Sequence, residues 1–335
     1  MKKAITVFIF VAFITVFLLG VSFWWNKNSS APSSSNETKT VLIVKGTTAD
    51  EIAQILYEEG VIKNPLAFKI YVQFTGNSQD IQAGEYELSL NKNVKLVTAQ
   101  LLKGPVGVWI TIPEGFRKEQ IAQKFASTFG LQGEAYDAFI EEFMISSEGK
   151  EGFLFPDTYL FPKTTSAEKV VNMMSNTYEK KITDEIQEEV SVSAYSLSQL
   201  ITMASIIERE TKTDTERPVV AGILWKRLEA DWPLQVDASV QYGVASVNCN
   251  PVNTKCDWWP ILTKSDIDAD SAYNTYKNSG LPPSPIASPG ISSIKAAVFP
   301  EDSDHWFYIH DSDGTIHYAE TIEEHNTNIA RYLGK

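Results

Sequence analysis

The sequence predicts an α+β protein: one N-terminal transmembrane helix, small α/β modules after it, and a mostly helical C-terminal domain with a β-hairpin. Three observations carry this. The chain opens on an uncharged run of bilayer length, its first half alternates short strand-like and helix-like segments, and its second half is dominated by helical spacing. At 335 residues, with 43% hydrophobic and 21% charged, it has the apolar content for packed cores and the length for two or three domains. Its formal net charge of −13 repels phosphate backbones, which argues against nucleic acid as a partner.

From Ala4 to Trp25 the chain runs 22 residues without a charge. At about 1.5 Å per helical residue this crosses a bilayer's roughly 30 Å apolar layer. Lys2 and Lys3 precede the run and Trp24 and Trp25 end it, so the N-terminus is expected to be cytoplasmic and the rest extracytoplasmic. A cleaved signal peptide is the competing reading, but the apolar stretch exceeds the usual h-region of about 7–15 residues and no small-x-small site follows. Residues 1–25 are therefore read as cytoplasmic tip and membrane helix, and the Ser-rich 26–39 as a flexible linker. An extracytoplasmic location makes a disulfide between Cys249 and Cys256 available, closing a short loop. Two thiols with no second pair or nearby His make a poor zinc site.

In the soluble part, Val41–Val44 reads as a strand leading through Gly46 into a helix with Ile52, Ile55 and Leu56 on one face. A second helix is expected near Pro65–Phe74 and a strand over Ala83–Leu88. The strand-turn-helix pattern returns at Trp109–Ile112, Gly115 and Glu119–Gln123, where Ile52-Ala53-Gln54 is echoed by Ile121-Ala122-Gln123. These segments define modules at 40–104 and 105–164. The strand, helix, helix, strand order of the first resembles a LysM-like carbohydrate-binding module, although order alone does not fix function. Beyond an aromatic junction at Phe153–Tyr159, residues 165–335 form the main helical domain.

The chemistry concentrates on one helix. Ser196 and Gln199 have capping-box spacing ahead of the apolar run Leu200–Ile207, which ends abruptly in Glu208-Arg209-Glu210-Thr211. At about 100° per residue the two glutamates point roughly 200° apart, so one cleft takes only one of them. Glu210 lies above Met203, Ile206 and Ile207, where desolvation raises a carboxyl pKa and suits it to general acid work. Glu208 lies above Ala204 and Ser205, where pairing with an arginine is the simpler account. From spacing alone, a pair of ordinary helix-end ion pairs also fits both residues.

Other signals are weak. All four histidines fall between His305 and His325 without a His-Glu-x-x-His pattern, and neither Gly-x-Ser-x-Gly nor a phosphate loop occurs. No cofactor or metal is expected. Asp311-Ser312-Asp313-Gly314 between Trp306–Ile309 and Ile316–Tyr318 reads as a hairpin turn rather than a calcium loop.

The segment Met203–Thr211, followed by Glu216-Arg217, Leu234-Gln235-Val236-Asp237 and Tyr242-Gly243, closely resembles the endolytic murein transglycosylases of the YceG-like family. Ala272–Tyr276, Gly280–Pro283, Ile286–Gly290 and His325-Asn326 extend the resemblance in order over nearly the whole chain. Ala238-Ser239 and the loop bearing Cys249 and Cys256 depart from it. The resemblance implies lytic cleavage of the β-1,4 bond between N-acetylmuramic acid and N-acetylglucosamine in nascent glycan strands, leaving 1,6-anhydro ends and terminating elongation. It implies Glu210, followed by Thr211, as the catalytic acid. Gln235, Asp237, Asn274 and Tyr276 are then expected in the groove, and Glu208, Thr211, His325 and Asn326 in support. The partners the resemblance implies are peptidoglycan strands and synthase or division proteins. Two alternatives stay open: a muramidase-type hydrolase with Asp237 as second carboxylate, and a noncatalytic wall-binding or division scaffold.

Overall fold

The computed structural model describes residues 2–334, with side chains from Phe10 onward. Met1, at the expected cytoplasmic tip, lies outside the described residues. The chain divides into two units: residues up to Trp109 with Leu160–Lys163, and Ile110–Tyr159 with Thr164 onward. The expected 105–164 subdomain is therefore not separate, because most of it is grouped with the C-terminal unit.

In the first unit, α1 (Lys2–Ser29) is followed by β1 (Thr38–Ile43), α2 (Ala49–Glu58), α3 (Pro65–Thr75), β2 (Gly84–Ser89) and α4 (Val94–Leu102). The Ser-rich segment is not the free tether expected. Helix α1 continues to Ser29, and the Ser33 N–H and Glu37 carbonyl bond the Leu90 backbone, extending the pairing of β1 with β2. That pairing is antiparallel, from Thr38 opposite Ser89 to Ile43 opposite Gly84. Period-two alternation turns Val41, Ile43, Tyr86 and Leu88 onto Ile52, Leu56, Phe68, Val72, Val97 and Leu101. Thr48 and Glu51 form a reciprocal capping box on α2, and Asn64 with Pro65 starts α3.

Two more strands, β3 (Gly107–Thr111) and β4 (Thr158–Pro162), complete a sheet in the order β1-β2-β3-β4. A Cβ at Gly84, whose φ is +149°, would run into the Gly107 carbonyl and Pro105, so only glycine fits where β2 meets β3. Between β3 and β4 come α5 (Lys118–Thr128) and α6 (Glu134–Ser146), so the strand, helix, helix, strand order occurs twice along the chain.

In the second unit, β4 leads to α7 (Ala167–Lys181), α8 (Asp184–Val192), α9 (Leu197–Glu210), α10 (Arg217–Glu229) and α11 (Asp237–Asn248). A short α12 (Lys264–Ile267), α13 (Ile291–Val298), the hairpin β5 (Phe307–His310) and β6 (Ile316–Ala319), and α14 (Ile322–Asn328) complete it. Helix α9 is its hub. Ile201, Met203, Ala204, Ile206 and Ile207 are fully buried in a core shared with Val220, Leu224, Leu234, Tyr242 and Ile294. In the hairpin, Asp311 accepts the Asp313 and Thr315 N–H groups, which fixes the turn. Cys249 and Cys256 are joined by a disulfide, with Cα atoms 5.7 Å apart.

Candidate active site

Helix α9 delivers its two glutamates to different places. It starts on the Ser196–Gln199 capping box and stops at Thr211, which turns to φ −119°, ψ 152° and returns its hydroxyl to the Ile207 carbonyl at 2.7 Å. Glu208 is enclosed. One of its oxygens accepts the Arg217 guanidinium at 3.2 Å, and the other accepts the Gly290 N–H at 2.9 Å and the Ser293 hydroxyl at 2.8 Å. A Cβ at Gly290 would meet the Glu114 carboxylate, the movable end of a half-exposed side chain.

Glu210, on the other side of the helix end, opens into a cleft of about 470 Å³ lined by Arg227, Gln235, Asp237, Tyr276, Phe307, Tyr308, Ile309, Ile322 and His325. Burial pushes its carboxyl up to about 7. The Tyr308 hydroxyl, donating to Glu210 Oε2 at 3.0 Å, pulls the other way, nearby Asp237 raises the pKa, and Arg227 and Arg209 lower it. Tyr308 itself is held far above the ordinary phenol value by burial and by Glu210, so it remains a donor.

Arg227 is the buried cation beside this carboxyl. Its Nε and Nη2 donate to the Trp306 carbonyl at 2.9 and 2.6 Å, and Nη1 to the Leu234 carbonyl at 2.8 Å. It thereby ties the start of β5 and the Leu234–Asp237 motif to α10. That motif is also fastened to Thr275: the Gln235 N–H donates to its carbonyl at 3.1 Å and the Val236 N–H to its hydroxyl at 2.9 Å. Gln235 has φ +55°, a costly conformation for a residue with a Cβ, and these bonds hold it. On the rim, the Tyr276 hydroxyl donates to Asp237 Oδ1 at 2.7 Å. His325 stacks on Phe307 at 4.9 Å, and burial, then Arg227, holds its imidazole below the ordinary value.

Of the residues expected from sequence, the fold brings Glu210, Gln235, Asp237, Tyr276 and His325 to one cleft. Asn274 is not among them. It is 1% exposed, and its amide donates to the Ile267 and Ala269 carbonyls while its oxygen accepts the Tyr276 N–H, so it shapes the loop behind Tyr276. Glu208 and Thr211 are turned inward, and Asn326 is exposed on α14 outside the lining. Sequence reasoning missed Tyr308 and Arg227. Tyr308 was visible only as a hairpin strand residue, and Arg227 as one more base in a helix.

A family model described as the YceG-like family matches residues 41–331. The chain belongs to the YceG-like family. It is 30% identical over 344 aligned positions to a Bacillus subtilis (strain 168) protein named endolytic murein transglycosylase, covering 94% of this chain and 91% of that one. A Streptococcus pneumoniae (serotype 2, strain D39) protein of the same name is 28% identical, over 97% of this chain and 64% of its own longer one. A 2.6 Å crystal structure of a yceG-like protein from Listeria monocytogenes aligns with a TM-score of 0.55 and 30% identity, over 88% of this chain and 99% of that one. Among YceG-like chains, then, this one is similar along most of its length to proteins bearing a transglycosylase name.

Proposed function

We propose that this YceG-like chain is an endolytic peptidoglycan lytic transglycosylase with Glu210 as its single acid and base. One observation carries the reading: a carboxyl raised to about 7 by burial opens into a polar-rimmed cleft. Near neutral pH such a group is available both protonated and ionised. Glu210 donates its proton to the oxygen bridging N-acetylmuramic acid and N-acetylglucosamine as the bond from the muramyl C1 breaks, and the electron pair leaves on the departing 4-hydroxyl. The muramyl C6 oxygen bonds to C1, and its proton passes to the Glu210 carboxylate. The anhydro ring closes, the acid is restored, and no water is consumed. Gln235, Asp237 and Tyr276 are the proposed sugar-binding groups, with His325 and Phe307 as a wall.

A second reading, hydrolysis, is favoured by one feature: Asp237 lines the same cleft and is available as the second carboxylate a hydrolase needs. Helix α1, whose apolar stretch Phe10–Ser29 is unburied and long enough to cross a membrane, is the proposed anchor, with the active unit outside the cell membrane. The 40–104 segment is proposed to hold the wall in the manner of a LysM-like module, and its cleft along Lys45, Thr47, Glu51 and Gln54 suits that role.

The deciding experiment incubates the full chain in detergent with purified peptidoglycan and analyses the ends by mass spectrometry. Anhydro-muramyl ends are expected. New reducing ends instead establish the hydrolase, and a folded protein that creates no ends is a binder or scaffold.

A further inference from the structure

Helix α3 carries an exposed apolar stripe that its own unit does not explain. Phe68 and Val72 face the core and are fully buried, whereas Leu66, Ile70 and Phe74, spaced four apart on another face, are 53, 42 and 91% exposed. A stripe at helical spacing, ending in an almost bare phenylalanine, marks an interaction surface.

What covers it follows from the neighbour of α3. The Trp25 ring stacks on Tyr71 with centroids 6.4 Å apart, the Asn64 amide donates to Asn28 Oδ1 at 3.1 Å, and the Lys63 ammonium donates to the Ser30 hydroxyl at 2.9 Å. From Tyr71 on α3 to Asn64 and Lys63 just before it, the partners rise from Trp25 to Asn28 and Ser30 along α1 and its end, so the two helices run antiparallel. The N-terminal end of α3 therefore lies at the polar end of α1, and its C-terminal end points back along the apolar span. Phe74 sits one helical turn beyond Tyr71, ~4.5 Å farther toward the middle of that span. Trp25 stands where interfacial aromatics belong, and Lys27 and Lys63 stand at the polar end, Lys63 on Ser30, where cations meet phosphate headgroups, while Lys69 is paired with Asp50 at 2.8 Å.

We propose that Ile70 and Phe74, toward the C-terminal end of α3, form a second membrane contact, this end dipping into the headgroup-acyl boundary of the bilayer that α1 crosses while Leu66 stays at its rim. This rests on the anchor reading of α1 and is independent of the catalytic one. The contact fixes the first unit against the lipid surface beside the point where α1 leaves it.

The test uses the full chain reconstituted into phosphatidylcholine and phosphatidylglycerol vesicles. Ile70→Cys, Phe74→Cys and, as the span control, Phe17→Cys are each labelled with a thiol-reactive fluorophore; the native cysteines are joined and do not react. All three replaced side chains are exposed, so folding is spared. The expected result is loss of emission at 70 and 74 when the acyl chains carry bromine near the headgroup, together with protection from aqueous iodide. If the label at 17 is quenched by bromine while those at 70 and 74 stay open to iodide, α1 is an anchor and the proposal falls. Protection from iodide without bromine quenching means that a second copy of the chain covers the stripe, which also overturns it. A label at 17 that iodide reaches and that bromine placed deep in the acyl chains does not quench removes the anchor reading and the proposal together.

Discussion

Two glutamates two residues apart have opposite surroundings, and each predicts its own mutant. Glu210→Gln keeps size and hydrogen bonding but neither donates nor regains a proton, so anhydro-product formation should fall by roughly 10²–10⁴-fold with the unfolding curve little changed. Glu208→Gln keeps the cleft but weakens acceptance from Arg217, Gly290 and Ser293, so its expected cost is stability, about 1–3 kcal/mol by denaturant titration, with activity largely retained. A folded, inactive Glu208→Gln beside an active Glu210→Gln would reverse the roles. Tyr308→Phe removes a bond that stabilises the ionised Glu210, so the carboxyl should rise further above about 7. Asp237, Arg227 and Arg209 still face the carboxyl, so only this one contribution changes. If the protonated form is the working acid, the alkaline limb of the pH-rate profile moves to higher pH; a limb that stays in place or moves down shows that Tyr308 does not tune the acid.

At the level of elements, the sequence is most informative where the cause is local. Helix α9 was legible from Ser196, Gln199 and the apolar run, and the hairpin from Asp311–Gly314 between two alternating strands. Helix α4 was missed because Val94, Val97 and Leu101 sit in a short segment without a strong polar face. The Tyr308–Glu210 bond spans 98 residues and depends on Arg227 fastening the start of β5, a tertiary fact that no local pattern encodes. The expected tether failed for a similar reason, since Ser33 and Glu37 are ordered by a strand end more than fifty residues away. The disulfide loop is a testable element of this kind. Past Cys256, the Trp258 and Trp259 indoles donate to Gln123 and Gln120 on α5, and Trp259 lies under Arg209 at 3.8 Å. The Cys249→Ser, Cys256→Ser double variant should lose roughly 2–3 kcal/mol by the loop-entropy model, read as an unfolding midpoint shift. Equal midpoints for the variant and the oxidised parent would mean that the tryptophans hold the loop without the bond.

Across the whole molecule, stability varies with pH mainly through two carboxyls lifted far by desolvation, buried Glu151 and half-buried Glu210, with Glu114 raised in the same direction. Burial lifts Glu210 to about 7, and burial with nearby Glu119 lifts Glu151 to about 8 despite Arg117 and Lys118 beside it. In the unfolded chain both titrate near 4.5. Between about 4.5 and 7 for Glu210, and up to about 8 for Glu151, the unfolded state has released a proton that the folded state keeps. Stability therefore falls as pH rises through that window and levels off above it. On the acid side the sign reverses. Asp311, lowered mainly by the bond from His317, and Asp266, lowered mainly by that from Thr263, contribute stability that is lost as pH drops below their ordinary values near 3.8. His325, half-buried and held below its ordinary value by desolvation and then by Arg227, works in the same direction below about 6.5. The melting temperature of the full chain in detergent should therefore decline from pH 5 to pH 8. Glu151→Gln, whose single amide oxygen at the Oε2 position still accepts both the Lys118 N–H and the Tyr242 hydroxyl, should flatten the decline through pH 8, and Glu210→Gln only its part below about 7. A parent whose melting temperature rises over that window, or a Glu151→Gln variant with an undiminished slope, would show that the fold admits these carboxylates charged, and the basis for an acid poised near neutrality at Glu210 would go with it.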